Sequence, residues 1–250
     1  MPLSRLLRNL QVAPAALMAH LERSPDGMKL SLPSLAQIAA GPEEVVCTDA
    51  SALTVENLVT AYRSGVFPWP DEPDEPIPWC CPRVRALLVF DELTPGRTLE
   101  KRLRRDACTY SIDRAFDQVV AACAAAPRAG GFGTWISPTM LAAYTALHRA
   151  GFAHSVEVWD AHGQLVGGLY GVDAGGVFCG ESMFHLTANA SKLAILHLAK
   201  HLCSRGATWM DIQQLTPHMA RLGAREVPRD LFLKLLAKDL RAGRKLFGMP

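Results

Sequence analysis

The sequence predicts an α+β fold, a mixed sheet flanked by helices, on two observations. Three alternating segments, SVEVWD (155–160), QLVGGLYGV (164–172) and VFCGESMF (177–184), follow one another across short turns, the pattern of an antiparallel meander. A helical stretch and then TWMDIQ (208–213) come next. Strand, helix, strand implies a right-handed crossover and a parallel strand pair. No internal repeat is present, which excludes solenoids.

The elements follow in chain order. Leu3, Leu6, Leu7, Leu10 and Val12 space as an amphipathic helix; the first 21 residues carry Arg without acid, so a transit-like segment is the alternative reading. A short helix begins at Thr54, its N-cap, with Glu56 in the first turn, and ends at Ser64 before Gly65. Residues 66–82 (VFPWPDEPDEPIPWCCP) hold six prolines, a stretch expected to form a structured loop and neither a helix nor a central strand. The composition shift divides the chain into a small N-terminal domain, 1–86, and a larger domain, 87–250. In the second, Asp113 is expected to cap a helix through Phe116, Val119, Val120 and Cys123, and Ser137 with Pro138 opens another through Ala150. Asn189 is expected to cap the crossover helix, closed by Gly206. A tail helix over about 229–241 presents Leu231, Phe232, Leu235, Leu236 and Leu240 to the sheet.

Composition excludes several classes. Of 250 residues, 49% are hydrophobic and 20% charged, which excludes fibrous and disordered chains. The formal charge of +2 does not by itself argue for a nucleic-acid partner, so the distribution of charge along the chain decides. Seven cysteines form no C-x-x-C pair, so neither a disulfide framework nor a zinc clip is indicated, and a reducing cytoplasm fits. No apolar run approaches the ~20 residues of a membrane span, and a secretory signal pattern is lacking.

The chemistry is expected at the ends of two strands. Alternation puts Trp209, Asp211 and Gln213 on one face of TWMDIQ, and Glu181 with Met183 on one face of GESMF. If these strands are adjacent and parallel, Glu181, Asp211 and Gln213 converge near their C-terminal ends, where open sheets bind ligands. Buried carboxylates need partners, so the cluster is either a site for a cation or a paired structural network. G-x-S-x-G, H-E-x-x-H and P-loop motifs are absent. Acetyltransferases of the GNAT type share the meander-then-crossover order but cradle pyrophosphate on a glycine-rich turn; here that turn is His185, Leu186, Thr187 and Ala188, so a CoA cradle is not expected. RTLEKRLRR (97–105) carries five basic residues and one acid, either a phosphate-binding patch, which Arg83 and Arg85 could extend, or a solvated helix face. The aromatics Tyr62, Phe67, Trp69, Trp79 and Trp135 fit stacking on unpaired bases or packing between domains.

Taken together, AYRSGVFPW (61–69), PRVRALL (82–88), GTWISPTMLAAYTALHRAGFAHSVEVWD (133–160), LVGGLYGV (165–172), FCGESMF (178–184), ASKLAIL (190–196) and DIQQLTPHMARLGAREVPR (211–229) resemble the leucyl/phenylalanyl-tRNA-protein transferase family. The resemblance implies a GNAT-like acyltransferase fold, using aminoacyl-tRNA instead of acyl-CoA, with a small N-terminal α/β domain. Such enzymes move Leu, Phe or, less well, Met from tRNA onto proteins beginning with Arg or Lys, marking them for N-end rule degradation. It implies that the Gln213 side-chain oxygen accepts a hydrogen bond from the attacking amine, with Asp211 as electrostatic support. Glu181 and Asp211 would bind the acceptor's cationic side chain. Tyr62, Trp69, Trp135, Ser182, Met183 and Ile212 would surround the aminoacyl group and terminal adenosine. Arg83, Arg85, Lys101, Arg102, Arg104 and Arg105 would contact tRNA phosphates. It implies no metal, cofactor or membrane, and a cytoplasmic monomer. The chain departs from the family pattern at Pro70, Cys80 and Cys81, and lacks the usual G-G-D-L run before Thr54.

Overall fold

A computed structural model describes residues 45–70, 76–97, 99, 108–127 and 134–248. The N-terminal amphipathic helix, the acidic loop at 71–75 and most of the 97–105 basic run lie outside these residues.

The described chain folds as an α+β structure with two sheets. A three-stranded sheet has the order β1-β3-β2 (Val45–Thr48, Ile77–Cys80, Phe67–Pro68), all antiparallel. A seven-stranded sheet has the order β10-β4-β9-β8-β7-β6-β5, with β4 Val84–Val89, β5 Thr109–Ile112, β6 Ala153–Trp159, β7 Leu165–Asp173, β8 Phe178–His185, β9 Trp209–Asp211 and β10 Arg225–Pro228. Every pairing in it is antiparallel except β8 with β9, whose register sets Cys179 opposite Asp211. The meander and the parallel crossover pair therefore form as the strand patterns predict.

Helices cover both faces of this sheet. On one side lie α1 (Val55–Arg63), α2 (Phe116–Ala125) and α3 (Pro138–Arg149); on the other lies the crossover helix α4 (Ala190–Ser204). Adjacent glycines on β7 show why both sides close so tightly. A Cβ on Gly167 would meet the Cβ of Ala190 in α4 at 2.5 Å, while one on Gly168 would meet Val119 of α2 at 3.3 Å. The short α5 (Pro217–Ala220) and the tail helix α6 (Arg229–Ala242) complete the order.

Local signals worked for α1 and α3. Thr54 accepts a hydrogen bond from the Asn57 N–H, and Ser137 accepts one from Met140 with Pro138 in the first helical turn. Two expected caps form differently. Asp113 adopts φ +61° and accepts from Ser155 N at 2.8 Å and pairs with His154 at 2.7 Å, so Ala115 becomes the α2 N-cap without a side-chain bond. Asn189 sits at φ +66° and accepts from Lys192 Nζ at 3.0 Å in place of an N–H of α4. At Asp113 longer-range partners outcompete the local donor, whereas Asn189 keeps the N-cap position and gives its side chain to a residue of the same helix.

The proline-rich segment also differs from expectation, since Ile77–Cys80 is the central strand of the small sheet despite Pro78. Strand β2 pairs only with Trp79 and Cys80, and the Pro78 carbonyl accepts from Trp69 N at 2.8 Å. The missing N–H is thus never asked for.

Gly171 sits where β7 and β8 change register. A Cβ there would lie 2.2 Å from the Cys179 carbonyl oxygen and 2.6 Å from the Phe178 ring, and neither backbone nor a buried ring can yield cheaply. Gly171→Ala should destabilise the fold by roughly 2 to 4 kcal/mol, lowering Tm by about 5 to 15 °C in thermal denaturation. A wild-type Tm would refute this account of the close approach.

Candidate active site

The site is built around a break in strand regularity. Between β7 and β8 the register steps from Tyr170 opposite Ser182 to Gly171 opposite Gly180, leaving Glu181 as the extra residue of a β-bulge. A bulge re-aims the side chain it contains. Glu181 points toward α1 and α3, while Met183, two residues on, packs under α4 with Ile212. Strict alternation predicts one face for Glu181 and Met183; the bulge separates them.

Glu181 meets two side chains directly and a third lies behind them. Its Oε2 accepts from the Tyr144 hydroxyl at 2.9 Å, and its Oε1 accepts from Gln213 Nε2 at 2.7 Å. Behind Tyr144 lies Tyr62, hydroxyl to hydroxyl at 2.7 Å. Tyr62 comes from α1, and Tyr144 from the buried stripe Met140, Ala143, Tyr144 and Leu147 of α3. Burial, then the Glu181 charge, pushes both phenols well above the ordinary tyrosine range, so both stay protonated. Burial pushes the partly buried Glu181 carboxyl up to about 7, against the tyrosine hydrogen bonds, which lower it; the Asp211 charge adds to the rise. The group therefore changes charge close to neutral pH.

Gln213 lies just beyond β9, which ends at Asp211, two residues short of the strand that alternation predicts. It adopts φ +61°, a left-handed conformation that costs a non-glycine residue on the order of 1 kcal/mol. Two bonds of its own backbone hold it, Gln213 N donating to Asp211 Oδ1 at 2.8 Å and Ala86 N donating to Gln213 O at 3.2 Å, and the preceding Ile212 N donates to Ala86 O at 3.0 Å. Because Nε2 is used on Glu181, the amide oxygen is turned away from that carboxylate.

Asp211 is wholly buried and meets Arg85, itself only 1% exposed, in a two-pronged ion pair. Arg85 Nε donates to both carboxylate oxygens at 2.9 and 3.1 Å, and Nη2 donates to Oδ2 at 2.7 Å. Nη1 donates to the Gly65 carbonyl at 3.1 Å, and the rings of Phe67 and Phe232 lie 4.5 Å from the guanidinium carbon. Burial by itself would lower the Arg85 pKa, but the adjoining carboxylate holds it above its ordinary value. Both residues differ here from their expected surroundings. Arg85 is enclosed instead of facing a phosphate, and Asp211 is satisfied by Arg85 instead of open to a substrate cation.

The remaining expected residues fall into three groups. Trp69 and Trp135 are partly buried against the cluster that holds Tyr62, with Trp135 edge-on to Tyr144 at 6.1 Å. Ser182 is partly buried beside the bulge, whereas Met183 and Ile212 belong to the α4 side. Arg83 is exposed, and Lys101, Arg102, Arg104 and Arg105 lie outside the described residues. Sequence reasoning missed Tyr144. Its signal was a tyrosine within an apolar helical stripe, where a buried hydroxyl must find a partner. Among the described residues, no group of three His, Cys, Asp or Glu is placed to hold a metal, and no helix is long and apolar enough to cross a membrane.

Comparison with known proteins gives a consistent outcome. The family model described as leucyl/phenylalanyl-tRNA protein transferase matches residues 87–237, and the model for that family's N-terminal domain matches residues 51–83. The leucyl/phenylalanyl-tRNA–protein transferase of Chromohalobacter salexigens is 48% identical over 217 residues, 87% of this chain and 77% of that protein. The transferase of the same name from Chromobacterium violaceum is 44% identical over 209 residues, 84% of this chain and 88% of that one. Among solved structures, L-PGS from Bacillus licheniformis aligns with a TM-score of 0.34 at 13% identity over 63% of this chain and 49% of that chain, a likeness too slight to bear on function. With identity at this level over most of its length, and with both family models in sequence order, the chain belongs to the leucyl/phenylalanyl-tRNA protein transferase family.

Proposed function

We propose that this chain transfers a leucyl or phenylalanyl group, and less readily a methionyl group, from tRNA to the α-amino group of proteins that begin with Arg or Lys. The product would be a substrate for N-end rule degradation. The proposed setting is the cytoplasm, with the protein acting as a monomer. In this reading residues 87–250 are a GNAT-like catalytic domain and residues 1–86 an N-terminal domain that supplies one wall of the aminoacyl pocket.

The observation that carries the reading is the Gln213–Glu181 hydrogen bond beside the Tyr144 hydroxyl. Peptide-bond formation from an aminoacyl ester needs an amine held against an activated carbonyl. A neutral amide is a poor base, so most of the rate comes from orientation. Gln213 presents its amide oxygen to the incoming α-amine, and Glu181 offers a carboxylate to the cationic side chain of the same residue. With Asp211 neutralised by Arg85, Glu181 is the acidic partner we assign to the acceptor. Tyr62, Trp69, Trp135 and Ser182 are assigned to the aminoacyl-adenosine end. Arg83 and the cluster at Lys101, Arg102, Arg104 and Arg105 are assigned to tRNA phosphates, acting through charge.

Two outcomes test this. Radiolabelled Leu-tRNA mixed with peptides beginning with Arg, Lys or Gly should label the Arg and Lys peptides alone; Gln213→Ala should slow that transfer by about 10- to 100-fold with little change in tRNA affinity. Equal labelling of the Gly peptide, or no labelling, would overturn the assignment.

The second outcome is pH dependence. Acceptor binding needs ionised Glu181, so the KM for an Arg-peptide should fall as pH rises from 6 to 8 through the carboxyl's value of about 7. Stability runs the other way. A raised carboxyl pKa contributes stability that is fully present below the unfolded value near 4.5 and lost as pH rises through about 7. Glu181→Gln should therefore gain about 2 kcal/mol relative to wild type between pH 4.5 and 8, measured by denaturant unfolding. A constant difference across that range would exclude Glu181 as the titrating group.

A further inference from the structure

We propose that Arg85 is a positioning residue for the transfer reaction, fixing Gln213 through Asp211. This rests on the reading of Gln213 as the residue that meets the attacking amine. The path is a chain of short contacts. The Arg85 fork grips both oxygens of Asp211 at 2.7 to 3.1 Å. Asp211 Oδ1, already engaged by Arg85 Nε, also accepts the Gln213 N–H at 2.8 Å. That bond helps to hold the left-handed backbone at Gln213, φ +61°, from which the side chain reaches Glu181 at 2.7 Å. If the carboxylate rotates, the anchor of that backbone turns with it.

Arg85 is itself unusually constrained. Its guanidinium carbon lies over the rings of Phe67 and Phe232, 4.5 Å from each centroid, and Nη1 is tied to the Gly65 carbonyl at 3.1 Å. A planar fork satisfies these demands together, whereas a lysine ammonium provides neither the two-pronged geometry nor the flat faces. Since the side chain is 1% exposed, its influence on the reaction must pass through Asp211 instead of through contact with substrate. The same enclosure connects the segment after α1 (Gly65 and Phe67), β9 and α6, so displacement of any of them would be felt at Gln213.

The test is a double-mutant cycle on the full chain, with transfer from Leu-tRNA to an Arg-peptide as readout. Arg85→Lys should lower kcat by about 10- to 100-fold, while the Kd for Leu-tRNA and the salt dependence of its binding stay within twofold of wild type. In the Gln213→Ala background the same change should lower kcat by less than twofold, because the residue through which it acts is gone. Asp211→Asn, which keeps an acceptor but removes the charge that holds the fork, supplies a second cycle should Arg85→Lys not fold; it should show the same non-additivity. Equal losses in both backgrounds would overturn the proposal in favour of a general structural role. A wild-type kcat for Arg85→Lys would also overturn it, and so would weakened tRNA binding with a shallower salt slope, the mark of a phosphate contact. If the wild-type chain labels no acceptor at all, the functional reading itself fails; transfer with an additive cycle sinks only the role of Arg85.

Discussion

The buried pair of Arg85 and Asp211 is the constraint around which the site is arranged. Two charges removed from water cost several kcal/mol each, and an isolated pair rarely recovers that. Here the recovery has identifiable sources: a two-pronged contact, a backbone carbonyl and two aromatic faces for the cation, and the Gln213 N–H for the anion. Removing one partner of such a pair typically costs 3 to 5 kcal/mol, because the other charge is left uncompensated. A pair of apolar residues could fill the same space, but it could not anchor the N–H of a residue in a left-handed conformation.

This pairing separates the two carboxylates by environment. Asp211 is surrounded by donors and is fully committed. Glu181, displaced by its bulge, receives two neutral donors and keeps a burial penalty that brings its carboxyl to about 7. Two acids close together in space thus differ in availability, and the one poised near neutrality stands to gain most from a cationic ligand. Tyr62 and Tyr144 sharpen the contrast, because phenols held protonated by burial next to a negative charge act as fixed donors.

Much of this was legible in the sequence, and the illegible parts share a cause. The meander, the parallel crossover and helices α1 and α3 came from periodicity and from caps that act within a few residues. Convergence of Glu181 and Gln213 followed from the parallel pair, and the two do meet at 2.7 Å. What alternation could not reveal was the bulge at Glu181, which depends on the close approach of Gly171 to the Cys179 carbonyl, nor the partner of Asp211, which lies 126 positions away. The cap expected of Asp113 failed for the same reason, because His154 and Ser155 engage its carboxylate; Asn189 does take the N-cap position of α4, with its side chain on Lys192 of the same helix. Local rules read local competition, and these residues were decided by tertiary contacts.

The location of the site follows from this arrangement. The parallel strands β8 and β9 share a single register pair, Cys179 with Asp211, while each stays bonded to its antiparallel neighbour, and Gln213 emerges where β9 stops. On one side Tyr144 of α3 reaches Glu181, backed by Tyr62 of α1; on the other, β4 holds Gln213 by backbone bonds through Ala86 and by the Arg85 fork through Asp211. The amide is therefore fixed from elements far apart in the chain. Fixed polar groups are what aminolysis of an ester demands when no strong base is present, since the rate then depends on how little the amine must reorganise to reach the carbonyl. A neutral glutamine suits that task because its orientation, set by Asp211 and Glu181 together, does not change with its own protonation state. What does change with pH is Glu181, so under this reading proton equilibria govern acceptor capture and leave the attack geometry to the Arg85–Asp211 pair.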